Sequence, residues 1–85
     1  MYKILIEKQA DKDLQKILKS NLKTKLYRLM EIIEETPYSP PVEKLTGTNN
    51  VFSRRINIQH RLVYEVNEET KTIKIIRMWS HYGDN

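Results

Sequence analysis

Ser53-Arg54-Arg55-Ile56-Asn57-Ile58-Gln59-His60-Arg61-Leu62-Val63-Tyr64 is the stretch that decides the fold of this 85-residue chain. Its apolar and β-branched residues flank an Asn-containing break, so it reads as two short strands joined by a turn. From Thr46 to Tyr64 there is no Asp or Glu, yet three of the five arginines lie there. If Asn57-Ile58-Gln59 forms the turn, Arg55 stands across from Arg61 on one face, where like charges directly opposite each other are destabilising. Such a surface calls for an anion. Arg54, next along the strand, points to the other face and is assigned a structural role.

Working outward, Val51 to Ile58, Arg61 to Val66 and Thr72 to Trp79 read as three strands of an antiparallel meander. Upstream, Tyr38 to Asn50, with Pro40-Pro41 and Gly47, is a loop longer than most connections in compact domains, and such loops often carry function. Before it, Leu22, Leu26, Leu29 and Ile33, widened by Met30, form a helical stripe with Asn21 as the expected N-cap. Thr36, preceding Pro37, is pushed out of the α region and ends that helix. Glu31, Glu34 and Glu35 oppose the dipole at its end and are read as solvated charge. Ala10, Leu14, Ile17 and Leu18 make an earlier helix from Gln9 to about Ser20-Asn21, and Tyr2 to Glu7 a first strand. The fold class is therefore α+β, β-α-α-β-β-β in order, an antiparallel sheet with an N-terminal strand and two helices packed on one face. Residues 1–85 make a single domain.

A chain this short buries only about 60% of the surface its unfolded form exposes, leaving room for one modest core and one site. Fifteen basic and 11 acidic residues give a net charge of +4, which favours nucleic acid or an acidic partner without choosing between them. Cysteine is absent, which removes disulfides, thiolate catalysis and Cys-based zinc sites. His60 and His81 lack metal-ligand spacing, so neither a metal nor a cofactor is expected. No run approaches the roughly 18 apolar residues that span a bilayer, and the chain reads as cytoplasmic, with no membrane partner.

Guanidinium forks match phosphate oxygens in two-point geometry, so a phosphodiester suits Arg55 and Arg61; solvated arginines, or partners of Glu65 and Glu68, are the alternative. His81 is a lone histidine on an aromatic tail, a packing residue unless a second proton-transfer group stands near it, and Glu43 in the Pro-rich loop is the candidate for that group. His60 is assigned to turn or packing and Tyr64 to the core. Tyr82 is the better aromatic for nucleic-acid stacking.

Ser53-Arg54-Arg55-Ile56, then His60-Arg61-Leu62-Val63-Tyr64, then His81-Tyr82, preceded by Pro41-Val42-Glu43-Lys44-Leu45, resembles the YoeB/Txe family of toxin endoribonucleases in the RelE/ParE superfamily, whose fold is microbial ribonuclease-like. The resemblance covers nearly the whole chain. It implies the toxin of a type II toxin-antitoxin system, which enters the ribosomal A site, contacts rRNA, cuts mRNA there, and is neutralised by a cognate antitoxin. It also implies Glu43 as general base on the ribose 2′-OH, His81 as general acid on the leaving 5′-oxygen, Arg61 stabilising the phosphorane, Arg55 assisting, and Tyr82 placing the substrate. Monomer and homodimer both stay open.

Three departures from the family pattern stand out. Many members end at the tyrosine matching Tyr82, whereas this chain continues Gly83-Asp84-Asn85. Thr46 replaces a commonly basic residue, and the segment between Leu45 and Ser53 is about one residue shorter than in some members. Two other readings stay in view: a non-catalytic RelE/ParE-fold inhibitor that docks on a target such as DNA gyrase, and a degenerate toxin acting only with its antitoxin in repression.

Overall fold

The computed structural model describes residues 1–79. Its elements are β1 (Lys3–Ile6), α1 (Lys8–Leu18), α2 (Lys23–Glu35), β2 (Glu43–Lys44), β3 (Val51–Arg55), β4 (Arg61–Asn67) and β5 (Thr72–Arg77). They form one five-stranded sheet in the order β1-β5-β4-β3-β2. The α+β class and the element order follow the sequence reading, with two additions. The sheet is mixed, because β1 pairs with β5 in parallel, and Glu43-Lys44 adds an antiparallel edge strand where a loop was expected. Strand alternation does not reveal parallel pairing; it follows from the helical connection, which is long enough to return the chain to the far edge of the sheet.

The helical stripes do what their spacing predicts. Ala10 and Ile17 of α1 and Leu26 and Ile33 of α2 are buried, and they share a core with Ile56, Leu62, Tyr64, Val66, Ile73, Ile75 and Met78. Leu14, Leu22, Leu29 and Met30 are partly buried against that core. Asn21 is not the cap of α2. That helix starts at Lys23 behind Leu22, which has helical dihedrals and no side-chain cap, and the polar residue serving the turn is Ser20. Its hydroxyl donates to the Ile17 carbonyl at 2.8 Å and accepts from the Leu22 amide at 3.1 Å.

Two strands end earlier than the sequence suggests, and in each a side chain takes over the backbone bonding. After Arg55, the Ile56 and Asn57 amides both donate to the His60 carbonyl, while the Asn57 side-chain oxygen accepts from the Gln59 and His60 amides. This Asx-type turn replaces ladder bonds. At the end of β5, the buried Asp13 carboxylate of α1 accepts from the Met78 amide at 3.0 Å and from Gln9 at 3.1 Å. Nearby, His60 stacks on Trp79 with ring centroids 4.1 Å apart, as expected of a packing residue, and the Lys16 ammonium lies 5.7 Å from the Trp79 ring centroid.

On the other side of the molecule, Glu68 accepts hydrogen bonds from Tyr2, Tyr38 and Lys71, which ties β1 and the segment after α2 to the turn between β4 and β5. The bonds from Lys71, Tyr38 and Tyr2 favour the ionised carboxylate and lower its pKa from 4.5 to about 2.

Two expectations follow from these contacts. Asp13→Ala leaves the Met78 amide without its partner, and should lower unfolding stability by about 1–3 kcal/mol in a denaturant titration. For Glu68 the folded pKa lies below the ordinary one, so its contribution is complete above about pH 4.5 and is lost as the pH falls through about 2. NMR titration of the Glu68 carboxyl carbon should therefore give a midpoint near 2. Lys71→Ala and Tyr38→Phe should each move that midpoint upward.

Candidate functional site

Pairing of β3 with β4 sets Arg55 directly opposite Arg61, as the turn reading requires. Arg55 is exposed and makes no hydrogen bond or ion pair among the described residues. The Arg61 side chain is only 13% exposed and is held at two points. Its Nε donates to the Ser53 hydroxyl at 2.5 Å, and its Nη2 lies 2.5 Å from a Glu43 carboxylate oxygen. Glu43 sits on β2 opposite Ser53, so the ladder that adds the fifth strand also delivers this carboxylate to Arg61. The anion that the arginine pair calls for is thus supplied in part from within the chain. Glu43 itself is 72% exposed, so the pair is open to solvent and to competing anions.

Arg54 is turned away from this face, as expected, and is 3% exposed. Its guanidinium donates to Tyr64, to the carbonyls of Thr36, Ser39 and Pro41, and to the Ser39 hydroxyl. Tyr64 is fully buried and donates to the Pro37 carbonyl at 2.6 Å. Burial pushes the Tyr64 phenol above its ordinary pKa, while hydrogen bonding and charge from Arg54 pull the other way. Phe52 lies between Tyr64 and Tyr38, with ring centroids 6.0 and 5.3 Å away. These contacts fix the segment that leads from α2 to Glu43.

A groove of about 390 Å³ runs beside these groups, lined by Glu43, Arg54, Arg55 and Arg61 together with Pro40, Pro41 and Val42. A larger hollow of about 610 Å³ lies against Ile4, Tyr27 and Met30, where Arg28 is outnumbered by Glu31 and Glu34 and an anion is disfavoured. The smaller groove is the one that converges basic groups and a carboxylate. No group of His, Cys, Asp or Glu among the described residues is arranged to hold a metal ion. No helix among them is long and apolar enough to cross a membrane.

Of the five residues singled out in the sequence, Glu43, Arg55 and Arg61 are brought together, while His81 and Tyr82 lie outside the described residues. Two features were not assigned from sequence, one a participant in the site and one a buried arginine. Ser53 orients Arg61, and its signal was the strand period that puts residues 53 and 55 on one face. Arg77 is the other. Period-two alternation from Ile73 and Ile75 would place it in the core, but an irregularity between Val63 and Tyr64 shifts the pairing so that Arg77 faces Val63 rather than the next core position. Bulges re-aim side chains in this way. The Arg77 Nε is buried without a hydrogen-bond partner among the described residues.

Comparison with known proteins identifies the fold and the family. A search of curated proteins finds no match. Among solved structures, the YoeB/ParE toxin from Agrobacterium tumefaciens is 25% identical, with a TM-score of 0.86 over 94% of this chain and 99% of that one. The YoeB dimer from Staphylococcus aureus is 30% identical, with a TM-score of 0.81 over 95% and 98% of the two chains. The toxin in the YoeB-YefM complex from the same organism is 31% identical, with a TM-score of 0.77 over 96% and 99%. Residues 4–84 match the family described as the ParE toxin of the type II toxin-antitoxin system parDE. With a match across almost its whole length and YoeB chains as its structural relatives, this chain belongs to the ParE toxin family of type II toxin-antitoxin systems, as a YoeB-like member of the RelE/ParE superfamily.

Proposed function

We propose that this toxin is a metal-independent endoribonuclease that cuts mRNA in the ribosomal A site and so inhibits translation in the cytoplasm. The observation that carries the reading is the Glu43 carboxylate 2.5 Å from the Arg61 guanidinium, with Ser53 holding Arg61 from the other side and Arg55 opposite. A base beside phosphate-binding arginines suits attack by a ribose 2′-hydroxyl on its own phosphodiester. Glu43 takes the 2′-OH proton, the 2′-oxygen bonds to phosphorus, and the bond to the 5′-oxygen breaks as His81 gives that oxygen a proton. Arg61, assisted by Arg55, stabilises the extra charge of the phosphorane, and Tyr82 places the substrate. The products are a 2′,3′-cyclic phosphate and a free 5′-hydroxyl.

The S. aureus relative forms a complex with YefM, and we extend an antitoxin partner to this chain on the strength of that likeness and of its +4 charge. An acidic segment that folds on binding would cover Arg55 and Arg61. Light scattering decides between a monomer and the dimer described for S. aureus YoeB.

The ion pair also favours a second reading. Glu43 and Arg61 already satisfy each other, as they would in a docking surface with no chemistry, such as an inhibitor of DNA gyrase or a toxin retained only for repression with its antitoxin. End-group analysis of RNA from a translating extract separates these. Cleavage yields cyclic phosphate and 5′-hydroxyl ends at A-site positions, and the other readings yield none.

On the enzymatic reading, toeprinting shows A-site cuts while naked RNA is cut poorly; equal cleavage of both would remove the ribosome from the mechanism. His81→Gln should lower the single-turnover rate by about 10²–10⁴ with ribosome binding retained, the usual contribution of a general acid. A wild-type rate in that variant would move the acid to another group. Arg61→Ala and Glu43→Ala should also slow the chemical step. Binding of a short single-stranded RNA should report Arg55 separately. Arg55→Ala should reduce the slope of log affinity against log salt by about 0.7, one single-strand phosphate contact, and an unchanged slope would take Arg55 off the backbone.

A further inference from the structure

We propose that Arg54 and Tyr64 are positioning residues for Glu43, acting through the backbone of residues 36–41; the proposal rests on the ribonuclease reading above. Glu43 lies on a strand of only two residues, paired on one side alone, with Ser53 and Phe52 as the partners of Glu43 and Lys44. So short an edge strand does not fix its own position. What precedes it is held from below. Arg54 Nη1 donates to the Pro41 carbonyl at 3.2 Å, and Nη2 reaches the carbonyls of Ser39 and, at 3.4 Å, Thr36. Its Nε donates at 3.2 Å to the Tyr64 hydroxyl, which in turn donates to the Pro37 carbonyl at 2.6 Å. Four carbonyls of a six-residue segment are thereby read by one planar fork and one phenol. The last of the four is two residues before Glu43.

Satisfying these carbonyls contributes stability, but the shape of the group that does so sets their geometry as well. No carboxylate among the described residues pairs with Arg54, so its donors go to the carbonyls of the segment, which an apolar residue would leave unpaired. What an apolar residue cannot do is fix several carbonyls in one geometry, and lysine, a point charge on a flexible stem, does so poorly. The same strand presents Ser53 to Arg61 on its opposite face. Arg54 on one side and Ser53 on the other therefore set where Glu43 and Arg61 meet. Misplacement of a catalytic group by about 1 Å can cost about 10² in rate.

The test is a double-mutant cycle read by single-turnover cleavage on programmed ribosomes, with toxin-ribosome affinity measured separately. Arg54→Lys and Tyr64→Phe should each lower the rate about 10- to 100-fold when Glu43 is present. In a Glu43→Ala background neither should lower it further, because the group they position is gone, and ribosome affinity should be unchanged throughout. Equal losses in both backgrounds would make the residues merely structural and overturn the proposal, as would no loss in either. If Arg54→Lys fails to fold, Tyr64→Phe supplies the same comparison. Amide hydrogen exchange gives an arm that does not depend on cleavage. The Leu45 amide, which donates to the Val51 carbonyl, should exchange faster in both variants while the amides of Ile73 and Ile75 stay protected, and unchanged exchange at Leu45 would overturn the positioning role. Absence of cleavage by the wild-type protein would sink the ribonuclease reading alone, and the exchange measurement would then decide on the clamp.

Discussion

The site depends on the two-residue period of β3. Because successive side chains of a strand point to opposite faces, Ser53 and Arg55 reach one side of the sheet and Arg54 the other. The first two meet Arg61 or stand opposite it, and the third enters the interior and grips the segment that leads to Glu43. A slip of one residue between β3 and β4 would exchange these roles, burying the wrong arginine and freeing the segment. Register is protected by what lies around it: Leu62 and Tyr64 on the core face are fully buried, so shifting them outward would expose much of the core.

Burying Arg54 is costly in principle, since a guanidinium taken out of water must find partners for its donors. Here the partners are backbone carbonyls of a segment that contains Pro37, Pro40 and Pro41 and therefore cannot bond as regular structure. The need is mutual. The segment supplies acceptors that have no strand or helix to pair with, and Arg54 supplies donors that have no carboxylate among the described residues. Each side satisfies the other, which is how a stretch with little secondary structure can hold a side chain in place.

Much of this was legible in the sequence because it follows from periodicity. The Leu22, Leu26, Leu29 and Ile33 stripe, the Thr36-Pro37 helix end, the Arg55-Arg61 pairing and the division of labour between Arg54 and Arg55 are consequences of helix and strand geometry. Other features depend on contacts between distant residues and leave no local trace. The parallel seating of β1 on β5 is one, and the end of β5 another, since the carboxylate that bonds the Met78 amide comes from Asp13 on α1. Pairing of Glu43 with Ser53 required knowledge of which strand lies at the sheet edge. The irregularity that turns Arg77 away from the core contradicts the local alternation outright, so only tertiary structure could reveal it. Ser20 in place of Asn21 reflects a tight interhelical turn in which the earlier hydroxyl reaches the end of one helix and the start of the next.

The Glu43-Arg61 pair links this architecture to the proposed chemistry. With one partner 72% exposed, its net contribution to stability is about 0–1 kcal/mol, small enough for a phosphodiester to displace. A phosphate arriving at Arg61 can use two guanidinium N–H groups and draws on Arg55 as well, whereas Glu43 contacts a single Nη2. Displacement would not send the carboxylate far, because the clamp on residues 36–41 and the ladder to β3 hold its backbone. Glu43 would be left unpaired beside the phosphate that took its place, and on a ribonucleotide the nearest proton donor to that phosphate is the 2′-hydroxyl. On the proposed ribonuclease reading, any anion would have to compete with Glu43 for Arg61, and a phosphodiester that won would leave a base beside the hydroxyl it is to deprotonate.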